Sequence, residues 1–130
     1  MELMVIIVIL GTLAAIAIPT YRQYMQRTHR TEAKSALLRL AAEQERFYLQ
    51  NNTYTNNFAA LNTPTGRSQN GVYTLTIPVA NVTAYTLTAT PTPGGGTNGV
   101  NQVPDATCAS FTINQAGIRT AAPDPNGNCW

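Results

Sequence analysis

Few of the 130 residues are of types that could do chemistry, and most of those stand alone. The single histidine, His29, has Arg30 beside it and no Cys, Ser or Asp at a spacing that would build a general base or a nucleophilic triad. It reads as a solvated helix histidine. Glu32, Glu43 and Glu45 fall among basic residues, where solvation and ion pairing account for them. Gly94, Gly95 and Gly96 lack the Lys-Ser or Lys-Thr that would follow in a phosphate-binding loop. No catalytic set, cofactor motif or metal set emerges, and the pattern is that of a non-enzyme. The two cysteines, Cys108 and Cys129, lie about 80 residues from the histidine, far from the four-ligand spacing of a zinc site. A disulfide is the favoured reading, placing that part of the chain in an oxidising compartment; two buried thiols in a reducing one are the alternative.

Three charged or special positions carry more information. Glu2 heads a run, Leu3 to Ile18, with nothing more polar than Thr12. A carboxylate is costly if drawn into a membrane, so Glu2 either stays at headgroup level or finds a partner, the positive amino terminus of another copy. Gly11 inside that run allows a neighbouring helix to approach closely. Arg27, Arg30 and Lys34 share one sector of a helical wheel with Arg22 beside it and Glu32 opposite. That makes a basic face suited to lipid headgroups or neighbouring chains. A nucleic-acid face would carry more basic groups and interleaved aromatics, so DNA is a weakly supported partner.

The elements that must position these residues follow from periodicity. Charged residues make up 11% of the chain against 44% hydrophobic, with 8 basic and 6 acidic side chains and a net charge of +2. About a quarter charged is usual for a soluble domain. The deficit comes from the apolar run, which is close to the ~20 residues of a membrane span. It lacks the basic front and small-residue cleavage site of a secretory signal. From Thr20 to about Gln50 there is no Gly or Pro, and Ala33, Ala36, Leu37, Leu40, Gln44 and Phe47 form one stripe at helical spacing. Arg39–Glu43 and Glu43–Arg46 are spaced to pair on the outer face. Leu38, Ala42 and Leu49 lie off the stripe and would face something outside the domain. Pro19 is expected to bend or locally interrupt one helix of roughly 50 residues rather than end it.

After a loop over 51–71 the period changes from 3.6 to 2. Val72–Pro78 and Thr83–Thr90 alternate Thr with larger apolar groups, Cys108–Ile113 reads as a third strand, and Ile118–Ala121 as a short fourth after the turn at Asn114–Gly117. Pro91–Pro104 reads as an exposed connection. The positive-inside rule would put the basic stretch in the cytoplasm, against the disulfide; a basic leader ahead of the apolar run would reconcile the two.

The stretch Glu2-Leu3-Met4-Val5-Ile6-Ile7-Val8-Ile9-Leu10-Gly11, with Ala15-Ile16-Ala17-Ile18-Pro19 and Tyr21, resembles the N-terminal segment of type IV pilins. Tyr73-Thr74-Leu75-Thr76, Tyr85-Thr86-Leu87-Thr88-Ala89, Cys108, and Phe111 to Gly117 with Arg119 are similar to the PilE-like group of these subunits. The resemblance implies an α+β type IV pilin fold: a hydrophobic helix over 1–21, an amphipathic half over 22–50 packed on an antiparallel sheet of about four strands, an αβ-loop over 51–71, and a sheet with a disulfide-bounded region over 72–130. It implies a structural subunit of surface filaments serving adhesion, twitching motility and DNA uptake. The expected partners are copies of itself, other pilins, the assembly machinery, a prepilin peptidase acting on a precursor, and the bacterial inner membrane before assembly. Glu2 matches the glutamate used for recruitment and register, Gly11 and Pro19 the positions between which the helix unwinds in filaments, and Cys108 and Cys129 the bridge closing the C-terminal region. The family's mature start before the glutamate is here cut to Met1, so a leader and a methylated N-terminus are expected of the natural chain. Two alternatives have the same N-terminal logic: a pseudopilin of type II secretion, and a DNA-receptor minor pilin of competence.

Overall fold

The computed structural model describes residues 2–96 and 105–130. Helix α1, Glu2–Asn51, is 50 residues long, about 75 Å at 1.5 Å per residue. It runs through Pro19 without ending there; of the bend or local interruption expected at that proline, the interruption is not present in the free chain. Proline removes one backbone donor, and beside it the Thr20 hydroxyl donates to the Ile16 carbonyl at 3.1 Å. The helix ends where Asn52 adopts a left-handed φ of 55°. Asparagine tolerates that conformation at a helix C-terminus, and its N–H closes the last turn onto the Tyr48 carbonyl at 2.8 Å.

Four strands follow, β1 (Tyr73–Ala80), β2 (Tyr85–Pro91), β3 (Ser110–Asn114) and β4 (Arg119–Ala122), in an antiparallel sheet of order β1-β2-β3-β4. Strand β1 runs past its expected end at Pro78. Proline cannot donate to a ladder, and the register shifts between Thr76 and Val79; such a bulge is tolerated because β1 is an edge strand. Strand β2 begins at Tyr85 rather than Thr83 because the Asn81 side chain accepts the amides of Thr83 and Ala84 at 2.9 and 2.8 Å, holding both in the turn. Asn114 does the same between β3 and β4, accepting from Ala116 and Ile118, with Gly117 at a φ of 74°. Much of the expected connection Pro91–Pro104 lies outside the described residues.

The second half of α1 crosses β2 and β3. Alternation does what the period implied: Tyr85, Leu87 and Ala89 of β2, with Phe111 and Ile113 of β3, point into the core, while the intervening threonines are only partly covered. Ala33, Leu37 and Leu40 meet them from the helix, and Leu61 and Val72 close the side under the loop. Gln44 belongs to the same stripe and is fully buried, but as a polar group: its amide oxygen accepts from the Thr55 N–H at 3.1 Å and its amide nitrogen donates to the Thr55 carbonyl. That exchange fixes the start of the αβ-loop to the helix. Cys108 and Cys129 form a disulfide, both sulfurs buried. The tail it holds packs Trp130 edge-on against Phe111 at 5.8 Å.

His29 also departs from its expected place on the helix surface. His29 is buried, 3% exposed, and neither ring nitrogen has a hydrogen-bond partner among the described residues. It lies one turn before Ala33 on the buried stripe, so extending the Ala33–Leu37 spacing backwards by four residues would have found it. Its position on this periodic stripe outweighs its basic neighbour, so the ring is packed rather than solvated.

Candidate assembly surface and basic junction

Residues 2–24 of α1 are exposed throughout. Leu3, Met4, Val5, Ile6, Ile7, Val8, Ile9, Leu10, Leu13, Ile16 and Ile18 are all more than half exposed, Leu3 at 75%. The helix is long and apolar enough there to cross a membrane, with a mean hydropathy of 2.6 and none of that window buried. Burying one such side chain contributes about 1.5–3 kcal/mol, and monomeric soluble proteins rarely expose a contiguous apolar patch of this extent. Glu2 sits exposed in the first helical turn. A side chain added at Gly11 would meet nothing within 4 Å, so the free chain itself gives no packing reason for glycine there. Tyr21 and Tyr24 continue the apolar surface into a shallow groove with Leu13, Ile16, Ala17 and Thr20.

The basic face does not remain one face. Arg22 and Arg27 are exposed, but Arg30 and Lys34 are half-buried. Arg30 forms a two-point ion pair with Asp105, through Nε to one carboxylate oxygen and Nη2 to the other at 3.0 Å. The Asp105 side chain is 6% exposed. One of its oxygens also accepts the amides of Thr107 and Cys108, both at 3.1 Å. Burial pushes the Asp105 carboxyl up, but the Arg30 hydrogen bond, the two amides and the Arg30 charge outweigh it and hold it below the usual carboxylate range. The hydrogen bond to Asp105 raises Arg30 in turn, offset in part by burial. Burial, with the Arg30 charge one turn away, lowers the Lys34 ammonium. Arg30 is therefore a fastener between helix and disulfide region rather than a free cation, and the expected four-residue basic face reduces to Arg22 and Arg27 with Lys34 at its margin. Asp105 was missed as a partner because 75 residues separate it from Arg30; its spacing three before Cys108 was the available signal, an Asx-type turn ahead of a strand.

Elsewhere on the helix, Glu32 reaches the loop, accepting from the Asn70 N–H at 2.8 Å and its side-chain amide at 3.0 Å. Of the two expected outer-face ion pairs, Glu43–Arg46 closes at 3.9 Å, and Arg39 instead lines a groove beside the loop. Leu38, Ala42 and Leu49 are exposed, Leu49 at 83%. Among the described residues, no three His, Cys, Asp or Glu side chains cluster as metal ligands would.

A long helix with one half free and the other laid across an antiparallel meander closed by a C-terminal disulfide is the fold of a type IV pilin. The crystal structure of the non-core minor pilin PilV of Neisseria meningitidis is 27% identical, covers 76% of this chain and 88% of its own, and superposes with a TM-score of 0.54. A type IV pilin from Shewanella oneidensis, 24% identical, shares the fold over 82% of this chain and 97% of its own, with a TM-score of 0.55. The type IV major pilin protein PilA of Myxococcus xanthus is 39% identical over 54 residues, which are 42% of this chain. The match spans about a quarter of that relative's length, 24%. Residues 19–112 match the family described as type IV minor pilin ComP, DNA uptake sequence receptor, and the chain belongs to it. That is a family of structural pilins, not a class of enzymes.

Proposed function

We propose that this pilin polymerises through the apolar half of α1 into a type IV pilus on the bacterial surface, with copies of itself and other pilins. The observation that carries the proposal is the unbroken exposure of Leu3 to Ile18 in an otherwise folded chain. Before assembly that surface lies in the inner membrane as a single span, head in the periplasm, where an oxidising compartment suits the Cys108–Cys129 bridge. After assembly it packs against the same surface of other subunits, so one apolar face serves in two surroundings. A prepilin peptidase and the pilus assembly machinery act on the precursor. Adhesion and twitching motility are the activities such a filament supports.

Within the bundle, Glu2 supplies register. A carboxylate carried into an apolar core costs at least several kcal/mol unpaired, so subunits settle where each Glu2 meets a positive group, the amino terminus of a neighbour being the available one. Gly11 and Pro19 bracket the stretch where α1 can unwind: glycine is a poor helix former and proline removes a donor. Glu2→Ala and Glu2→Gln are expected to cut surface filament yield sharply while the head keeps its melting temperature. Wild-type filament yield from either variant contradicts the register role. Short cell-bound pseudopili in place of long filaments would favour the secretion pseudopilin.

The family description favours a second activity, the capture of DNA by the exposed subunit. Arg22, Arg27 and Lys34 are the cations at the junction left to meet phosphates once Arg30 is tied to Asp105. Each phosphate contact adds about 0.9 to the slope of affinity against salt. Filaments should bind duplex DNA with a steep salt dependence that becomes shallower in the Arg22→Ala, Arg27→Ala, Lys34→Ala triple variant. Salt-insensitive binding, or none, removes this activity and leaves polymerisation untouched.

A further inference from the structure

Beside the αβ-loop lies a groove of about 420 Å³ between α1 and residues 62–69, with Leu75 at its base. That size falls within the range of small-molecule sites. Two arginines line it, Arg39 from the helix and Arg67 from the loop. Neither has a carboxylate within ion-pair distance among the described residues. Arg39 is spaced to pair with Glu43, yet Glu43 pairs with Arg46 instead. The one carboxylate in the wall, Glu32, has its two oxygens engaged by Asn70.

The remainder of the lining is chemically mixed in a particular way. Ser35 and Thr63 donate their hydroxyl hydrogens to the Glu32 and Leu61 carbonyls at 2.9 and 3.1 Å and so offer acceptor oxygens, Thr65 adds a hydroxyl and Gln69 an amide, while Ala36, Pro64 and Leu75 offer apolar surface. The wall is fixed before any ligand arrives. Gly66 donates to the Thr63 carbonyl at 3.2 Å and accepts from the Leu75 N–H at 2.8 Å, and Arg67 is bridged to Thr74. Ser68 is buried and its hydroxyl oxygen accepts the Tyr73 N–H at 3.0 Å. Gly66, at a φ of 56°, makes the turn that keeps Arg67 over the groove's edge. A preformed site loses less entropy on binding.

We infer that this groove binds an acidic saccharide, the ring carboxylate held by Arg39 and Arg67 and the hydroxyls by Ser35, Thr63, Thr65 and Gln69. Guanidinium groups recognise carboxylates through paired, charge-assisted hydrogen bonds. A ring whose edges are hydroxylated and whose face is apolar matches the mixed lining better than a bare inorganic anion, which would leave the hydroxyls and the Pro64 and Leu75 surface unused. The site is separate from the junction cations invoked for DNA, so each can fail without the other.

The test is calorimetric titration of the full chain in detergent micelles with methyl β-D-glucuronide, methyl β-D-glucoside and inorganic phosphate. The glucuronide is expected to bind saturably, the neutral glucoside at least about tenfold more weakly. Arg39→Gln and Arg67→Gln should each weaken the glucuronide by about tenfold or more, and Arg119→Gln on the far edge strand should leave it unchanged. Both substituted side chains are exposed, so the fold is not at risk, and unaltered circular dichroism checks this. Glucuronide binding that is absent, matched by the glucoside, or indifferent to Arg39 and Arg67 overturns the assignment. Phosphate binding at these arginines while the glucuronide does not bind would overturn it too, making the groove a phosphate site.

Discussion

Asp105 holds two parts of the molecule at once: it anchors Arg30 of the helix and caps the amides that lead into Cys108. Removing it strands a half-buried guanidinium and two amides, so Asp105→Ala should cost about 1–3 kcal/mol in denaturant unfolding. The pH dependence follows from the direction of its shift. A carboxyl held below its unfolded value of about 3.9 contributes stability that is present above that pH and lost as pH falls through the lower folded value. Unfolding followed between about pH 5 and pH 2 should therefore lose less stability in Asp105→Asn than in the wild type. Equal acid sensitivity would show that the pair does not matter. His29 presents the opposite case, a buried ring with both nitrogens unsatisfied among the described residues. An apolar side chain of similar size removes that cost, and His29→Leu is expected to raise stability by about 1 kcal/mol. A loss of that size instead would mean that the ring makes a polar contact the structure does not contain.

At the scale of elements, the helix and the sheet are joined by a stripe that the sequence displays openly and by polar ties that it does not. Ala33, Leu37 and Leu40 were legible because a period of 3.6 is a property of neighbouring residues. So were the two Tyr-Thr-Leu-Thr strands, whose alternation is local. The ties between Gln44 and Thr55, Glu32 and Asn70, and Arg30 and Asp105 join residues 11, 38 and 75 positions apart, and no local pattern announces them. The strand ends shifted for the same reason: side chains of Asn81, Asp105 and Asn114 claim amides that periodicity alone would give to the ladder. Leu37→Ala should cost about 2–5 kcal/mol, since the residue is fully buried between helix and sheet. Reduction of the disulfide, which closes a segment with a sequence separation of 21, should cost about 3 kcal/mol by loop entropy. Thermal melting with and without reductant reads this directly; an unchanged transition would mean the bridge adds no stability.

For the whole molecule, the distribution of charge carries the proposed function. The low overall charge is an average over three unlike parts: an apolar half-helix with Glu2 alone, a charged half from Arg22 to Arg46, and a Thr- and Asn-rich head whose two arginines and two aspartates cancel. The apolar half was legible from composition, since no fold of this size could bury so continuous a run within itself. What it packs against was not, because the partner surface proposed for it is another copy of the same run, and a single sequence states no geometry between chains. The most direct test of polymerisation is cryo-electron microscopy of filaments sheared from cells expressing this chain. Polymerisation through α1 should give a helical reconstruction in which Leu3 to Ile18 of every subunit lines the axis, Glu2 lies against a neighbour's amino terminus, and the four-stranded heads face solvent. Cells that display no filament containing this chain, or filaments in which the apolar half-helix lies outside the core, would contradict it.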